Sequence, residues 1–399
     1  LAAPIGFGFY VNDITVADDT LAFALVNAGG SDSLPSLSNL VVFDPATGSV
    51  LQTLNLAQTF TNGAPLMDSA GGLAAGNAFV QSGAEALAYV ATAQGNRLFV
   101  AMTNLIFGAP SYGAVKQRGT IQVFDVLPNS VDPVRQRPAT GLFTETWLTQ
   151  DYNPVALHVH TLEPAFPYAG RDRLLVTLGG TTAFDAAFKL VPVSDASVEV
   201  FDAASSTYEG RFRLGLAGLA GTRPAIGHDA AGHLLGFFPS SVTGEIYLLR
   251  LDGLDQAVID VDRLAVLRGP GQGLPVSLAD AGGPGGNVTG CALSPDGRSL
   301  VVSTFGDLYA FPSPKPGLLR VLSLPADVLT GSGFGPTFVP GTAVYGSVTG
   351  RTLGGLVLRP DLSGRPDVFV LVGGSIDPAT FLGDGPASIG TLTTHGLIR

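Results

Sequence analysis

Val288-Thr289-Gly290-Cys291-Ala292-Leu293-Ser294-Pro295-Asp296-Gly297-Arg298-Ser299-Leu300-Val301-Val302-Ser303 is the stretch from which the rest of the chain is read. Val288 to Leu293 is a short apolar run bounded by turn residues, which predicts a strand. Ser294-Pro295-Asp296-Gly297 then reads as a turn in which Pro presets φ and Gly supplies φ > 0, and Arg298 to Ser303 returns as a second strand. Asp307 to Phe311 adds a third strand and Leu318 to Leu322 a fourth, after the Pro-rich Pro312-Ser313-Pro314-Lys315-Pro316. Four strands between Asn287 and Leu324 are the size of one repeat of a stacked β architecture.

The same grammar recurs upstream and downstream. Asp13 to Val16, Thr20 to Val26, Asn39 to Phe43 and Val50 to Leu54 make one unit, and Ala86 to Ala91, Arg97 to Thr103, Thr120 to Phe124 and Phe143 to Leu148 a second. Val155 to His160, Arg173 to Thr177, Ser197 to Phe201 and Tyr208 to Leu214 make a third. Ala225 to His228, His233 to Phe238, Glu245 to Leu249 and Asp262 to Leu267 make a fourth. Thr337 to Val339, Ala343 to Val348, Gly355 to Leu358 and Val368 to Val372 close the series of six. Three strands end in Val-Phe-Asp: Val42-Phe43-Asp44, Val123-Phe124-Asp125 and Val200-Phe201-Asp202.

One such unit cannot bury both its faces, so several must stack about a shared core. Ile5 to Tyr10 and Ala387 to Ile398 remain over, and neither is stable alone with open edges. Paired with each other they would build a seventh unit and close the set. The expectation is an all-β, single-domain β-propeller over residues 1–399, with seven blades of four antiparallel strands, closed by its N- and C-terminal strands.

Composition agrees and excludes several classes. Gly at 53 and Pro at 28 punctuate a chain that is 46% hydrophobic and only 13% charged, as many short buried strands joined by tight turns require. Mean hydropathy is +0.35, yet every apolar stretch is interrupted well before the roughly 18 residues of a spanning helix, so no transmembrane span is expected. Net charge is −11, and Lys116, Lys189 and Lys315 are the only lysines, so no basic run can track a phosphate backbone and nucleic acid is not an expected partner. The single Cys291 rules out a disulfide framework or multi-cysteine metal site and reads as a small buried hydrophobe. The start at Leu1-Ala2-Ala3-Pro4, without Met, is what removal of an export signal leaves, so a periplasmic, cell-surface or extracellular protein is expected.

Phe99-Val100-Ala101-Met102-Thr103-Asn104 followed by Gly119-Thr120-Ile121-Gln122-Val123-Phe124-Asp125, together with Ser294-Pro295-Asp296-Gly297-Arg298-Ser299-Leu300-Val301-Val302, resembles the repeats of YVTN-type β-propellers. That group is similar to the lactonase-like propellers, in which carboxylate, Asn and His groups at the mouth of the central channel often hold a divalent cation or activate water. The resemblance implies Glu85, Asn104, Asn153 and Glu163 as candidates for such a mouth. It matches turns and core positions, and no binding site.

Of the other chemistry-bearing residues, His158 and His160 are two apart on one strand and project from the same face, as two ligands of one zinc-like ion would. Aligned on the turns, His228 takes the position of His160 in the next unit, so His158, His160 and His228, with Glu163 or Asp229, form a candidate metal set. The same alignment places His160 and His228 where Leu293 stands, a position that packs between sheets, where a neutral hydrogen-bonded imidazole is the commoner outcome. Dinucleotide, P-loop, nucleophile-elbow and haem-attachment patterns are absent. The function expected is therefore non-enzymatic: an exported propeller serving as a protein-binding or scaffold subunit, with insertions 62–80, 106–119 and 179–193 presented to a protein partner and no cofactor. The alternative is a metal-assisted lactonase-type hydrolase with a divalent cation at the channel mouth.

Overall fold

The apolar runs fold into strands that pair with their neighbours in sequence, so the chain is a succession of antiparallel meanders. The computed structural model describes residues 10–28, 37–57, 59–61, 78–92, 94–104, 118–136, 146–161, 172–184, 186, 190–205, 208–219, 223–240, 242, 245–251, 256–260, 265–266, 288–304, 317–324, 326–328, 344–346, 353–360, 366–372, 375–376, 383–384 and 388–393. The first sheet is β1 (Tyr10–Asp18), β2 (Leu21–Ala28), β3 (Leu37–Phe43) and β4 (Val50–Asn55), in that order. A separate hairpin, β5 (Thr59–Thr61) and β6 (Ala78–Val80), follows it in the chain. The second sheet is β7 (Ala84–Thr92), β8 (Gly95–Met102) and β9 (Thr120–Val126), with β10 (Val134–Gln136) and β11 (Thr146–Leu148) each pairing with one half of β9. In the third, β12 (Pro154–Thr161) and β13 (Asp172–Leu178) are separated from β16 (Ala196–Asp202) and β17 (Tyr208–Gly215) by the hairpin β14 (Thr182–Phe184) and β15 (Leu190–Pro192).

The fourth sheet is β18 (Ala225–His228), β19 (Leu234–Pro239), β20 (Glu245–Arg250), β21 (Gln256–Asp260) and β22 (Ala265–Val266). The fifth is β23 (Val288–Leu293), β24 (Ser299–Thr304), β25 (Leu318–Ser323) and β26 (Val344–Gly346). The sixth joins β27 (Leu353–Pro360) and β28 (Pro366–Val372) to β31 (Ser388–Thr393), with the hairpin β29 (Ser375–Ile376) and β30 (Gly383–Asp384) between the last two in sequence. Two compact units result: Leu1–Pro164 with Tyr168–Leu216 holds the first three sheets, and Ala217–Arg399 with Ala165–Pro167 the last three. Within each unit the first strands stand side by side, β1 against β7 against β12 and β18 against β23 against β27, which is how blades stack.

Three assignments differ from expectation. In the fifth sheet Leu318–Ser323 is the third strand rather than the fourth, and the fourth is Val344–Gly346, which the sequence reading gave to the next unit. In the fourth sheet the outer position belongs to Gln256–Asp260, and Ala265–Val266 folds back on it. At the C-terminus, Ser388–Thr393 pairs with Pro366–Val372 as the third strand of the sixth sheet instead of starting a seventh. Residues 5–9, the other half of the expected closure, lie outside the described residues, as do Asp307 to Phe311 and Thr337 to Val339. In the fifth and sixth sheets the cause is a long insertion between strands: proximity in sequence assigns an outer strand to the wrong neighbour when many residues intervene.

Burial explains why the second and third strands read as continuous apolar runs. In β8, β13, β19 and β24 nearly every residue is buried, because both faces of a middle strand are covered, whereas the outer β4 alternates between exposed and half-buried. Phe23, Leu25, Leu40 and Val42 of the first sheet meet Leu87, Leu98, Val100 and Phe124 of the second in one cluster. Phe99, Ile121 and Val123 on the second sheet's other face meet Leu174, Val176 and Phe201 of the third, with Trp147 stacked 5.0 Å from Phe201. Leu235, Phe237 and Leu248 meet Val288, Leu300 and Val302 in the second unit. Cys291 lies in that cluster, fully buried, its thiol pushed up to about 12 by desolvation, and so unreactive.

The Val-Phe-Asp repeats do local work. In the first and third sheets the Val-Phe step carries a bulge toward the outer strand, and the Asp accepts from the next turn: Asp44 from Ala46 and Thr47, Asp202 from Ala204 and Ser205. In the second and third sheets the residue before Val ties down the connection arriving from the preceding sheet. Gln122 donates to the Leu56 carbonyl at 2.8 Å, and Glu199 accepts from the Gln150 and Asp151 amides at 2.7 and 3.0 Å. Asp151 in turn accepts from Ser197 and Arg211, each at 2.7 Å.

Glu199 is fully buried, and desolvation, the largest influence on it, lifts its carboxyl from 4.5 to about 7 in spite of those two amides. An acid whose folded pKa is raised stabilises the fold most below its unfolded pKa and loses that contribution as pH rises through the folded value. Ionising it in the folded protein therefore costs on the order of 3 kcal/mol between pH 4.5 and 7. Glu199→Gln keeps the acceptor oxygen, and chemical denaturation at pH 5 and pH 8 is expected to show a smaller loss of stability with pH than in the parent. An unchanged difference between the two pH values would refute the assignment.

Gly297 (φ +67) occupies the turn predicted for it, and a Cβ there would stand 2.3 Å from the His228 carbonyl oxygen and 2.8 Å from the Asp229 Cα. Gly297→Ala is accordingly expected to destabilise the second unit by about 2–3 kcal/mol, read from the denaturation midpoint at constant m-value.

Candidate functional site

A recurring defect in the first strands organises one end of the sheets. Pairing with the second strand slips by one residue between Val11 and Asp13, Ala84 and Ala86, Pro154 and Ala156, and Val288 and Gly290. The residue left over is Asn12, Glu85, Val155 or Thr289 respectively. A bulge of this kind re-aims one side chain and is a feature of barrel rims and active sites. It falls near the N-terminal end of each first strand. In a meander that end also carries the connections between second and third strands and those between sheets. Residues 62–80, 106–119 and 179–193 all belong to such connections, and the β5–β6 and β14–β15 hairpins rise from two of them. Residues 62–77 and 106–117 lie outside the described residues. Tight turns such as Asp18-Asp19-Thr20 and Ser294 to Arg298 occupy the opposite end.

Glu85 is the chemically distinctive bulge residue. Asn12 donates through Nδ2 to the Ala84 carbonyl at 2.9 Å and to Glu85 Oε2 at 3.2 Å, joining the bulges of the first and second sheets. Asp13 Oδ2 accepts from the Leu87 amide at 2.7 Å and Asp13 Oδ1 from Ile14 at 2.8 Å, which fixes a second carboxylate beside the first. Desolvation first, and the charge of Asp13 second, raise the Glu85 carboxyl from 4.5 to about 7. Glu85 is nonetheless only half-buried. A reachable carboxyl that is near half-protonated at neutral pH can both take and give a proton.

Of the other mouth candidates, Asn104 serves the backbone. Asn104 and Asn153 both have positive φ, 53° and 61°. They are counterparts in reverse order: the Thr103 and Asn104 amides after β8 donate to the Gly83 and Ser82 carbonyls before β7, and the Gly179 and Gly180 amides after β13 donate to the Asn153 and Tyr152 carbonyls before β12. Asn104 accepts from the Ser82 amide and donates to the Arg118 carbonyl and Thr120 Oγ1 at 3.0–3.1 Å, leaving no amide hydrogen for a ligand. Asn153 Oδ1 is buried with no hydrogen-bond partner among the described residues. Glu163 lies outside the described residues.

His158 and His160 share one face of β12, as their spacing requires, with ring centroids 6.0 Å apart and planes 25° from parallel, and both are half-buried. They stand toward the far end of β12 from Asn153. His228 ends β18 in the second unit, opposite Leu234. Asp229 engages a different partner, His233, at 3.1 Å.

No family model and no curated protein matches the chain. Among solved structures it is similar to the dihydro-heme d1 dehydrogenase NirN, at 14% identity and TM-score 0.40 over 98% of this chain, of which it spans 60%. A periplasmic gluconolactonase of Pseudomonas aeruginosa aligns at 14% identity and TM-score 0.36, over 95% of this chain and 86% of that one. A leech intramolecular trans-sialidase aligns at 10% identity and TM-score 0.42, over 98% and 69%.

Asp13→Asn removes the neighbouring charge while keeping an acceptor for the Leu87 amide. Carboxyl carbon NMR is expected to find Glu85 titrating near 7 in the parent and lower in this variant. A Glu85 titration that ignores the substitution would show that Asp13 does not act on it.

Proposed function

We propose that the chain is a β-propeller hydrolase of the lactonase type, with Glu85 as its general acid–base group. The observation that carries this reading is the half-buried Glu85 carboxyl, raised to about 7 on a bulge at the elaborated end of the sheets. Ionised, Glu85 takes a proton from a water as the water oxygen bonds to the substrate carbonyl carbon. As the ring C–O bond breaks, Glu85 returns that proton to the leaving oxygen. Asn12 orients the carboxylate through Oε2, and Asp13 keeps it basic. Two adjacent carboxyls disfavour an anionic substrate, so a neutral lactone fits best.

A complete ring of blades is part of the same proposal: it comes from the repeats and suits a hydrolase of small diffusible substrates. The protein-binding reading retains one observation of its own. Val11, Ile14, Val16 and Val50, from 38% to 57% exposed, lie on one face of the first sheet beside Ala22, Ala24 and Phe43. An apolar face of this kind suits a protein partner.

Purified full-length protein is expected to open neutral γ- and δ-lactones with an ascending limb of kcat/KM near pH 7, and Glu85→Gln to lower kcat/KM by about 100-fold or more. Absence of turnover across the panel, or full activity in Glu85→Gln, would overturn the reading in favour of the binding role.

A further inference from the structure

We infer that Asp229, His233 and Asp327 form a binding site for a divalent transition-metal ion of the zinc type. The site lies in the second unit, at the tight-turn end of the fourth and fifth sheets. It is independent of Glu85 and of the reading based on it. His233 Nδ1 is 3.1 Å from Asp229 Oδ2 and 3.5 Å from Asp327 Oδ1, and all three donor atoms lie within 4.8 Å of one another. Zinc bonds of about 2.0–2.1 Å in a tetrahedron place neighbouring ligand atoms roughly 3.3–3.4 Å apart. The two His233 spacings thus already match a coordination polyhedron, and the third falls within 4.8 Å. One imidazole and two carboxylates leave a fourth position for water.

Asp229 is held as metal-binding carboxylates are held. Its Oδ1 accepts the Ala231 and His233 amides at 3.0 and 2.9 Å, and its Oδ2 accepts the Val328 amide at 3.1 Å. Three backbone donors fix the carboxylate, the outer-shell support that orients a ligand before the ion arrives. The Asp229 side chain is fully buried, while those of His233 and Asp327 are 24% and 39% exposed, so the ion has a route in. Coordination through Nδ1 uses the imidazole tautomer protonated on Nε2, so the His233–Asp229 hydrogen bond gives way to bonds from both groups to the ion.

The bound ion links the β18–β19 turn to the segment that follows β25, a region where Gly297 already brings the fourth and fifth sheets into backbone contact. It therefore binds the folded protein and not the unfolded chain, and raises the thermal midpoint. The test uses full-length protein stripped with chelator and titrated with Zn2+ by calorimetry, alongside Co2+ absorption to report tetrahedral geometry. The expected result is one ion per chain, a higher Tm with Zn2+, and affinity lowered by about tenfold or more in both His233→Ala and Asp327→Asn. A double variant, His158→Ala with His160→Ala, is expected to bind as the parent does. If His233→Ala melts below the stripped parent, Asp327→Asn, which alters an exposed side chain, decides. No stoichiometric binding, or binding lost with the His158/His160 pair and kept in Asp327→Asn, overturns the site and leaves His233 as an ion-pair partner of two aspartates.

Discussion

Covering both faces of the middle strands is the constraint on which the rest depends. Second and third strands such as β8 and β9 bury nearly every side chain, and each fully buried Leu, Val or Phe contributes about 1.5–3 kcal/mol relative to exposure. A four-stranded meander cannot collect that energy alone, since one face would stay wet. Sheets must therefore stack, and the polar side chains between them must be those that hold the stack in register. Gln122 and Glu199 do this from the same place in two successive repeats, one as donor and one as acceptor, each toward the connection that arrives from the preceding sheet.

The two ends of each sheet have diverged under this constraint. At one end the turns are short and closed by side chains that bond their own backbone, as Asp44, Asp202, Asp229 and Ser294 do. Such turns fix the hairpins and leave little freedom for variation. The other end holds the bulges at Asn12, Glu85, Val155 and Thr289, the positive-φ residues Asn104 and Asn153, and the inserted hairpins. A rigid stack tolerates long connections there because they close no essential turn, and that is where variable chemistry accumulates on a fixed scaffold.

What the sequence made legible follows from the range of the interaction. The third unit, from Val155 to Leu214, was read strand for strand because each strand is followed closely by its partner or by an insertion with clear turn residues. The outer strand Val344–Gly346 was not, since its partner lies across an insertion and three residues carry no period. Glu85 was named for its place beside an inner strand, but the bulge that aims it depends on pairing with Met102 and Ala101, and no local pattern announces a one-residue slip. Asp229 was legible as a ligand and its partner was not: His228, its neighbour on the strand, projects the other way, while His233 returns across the turn. Asp327 comes from a distant turn that only the stacking of two sheets brings near.

Glu85 and Glu199 show why a raised pKa cannot by itself mark a site. Both carboxyls stand near 7, and desolvation is the leading cause in each. Glu199 is fully buried, takes two backbone amides on one oxygen, and joins a strand to a connection, so a proton gained or lost there changes stability and nothing else. Glu85 takes one side-chain amide, keeps part of its surface in solvent, and sits on a residue that the sheet has pushed out of register. The energetic perturbation is the same, and access separates the roles. A carboxyl that water and a substrate can reach converts the cost of its burial into proton transfer, whereas one sealed between sheets converts it only into a pH-dependent fold.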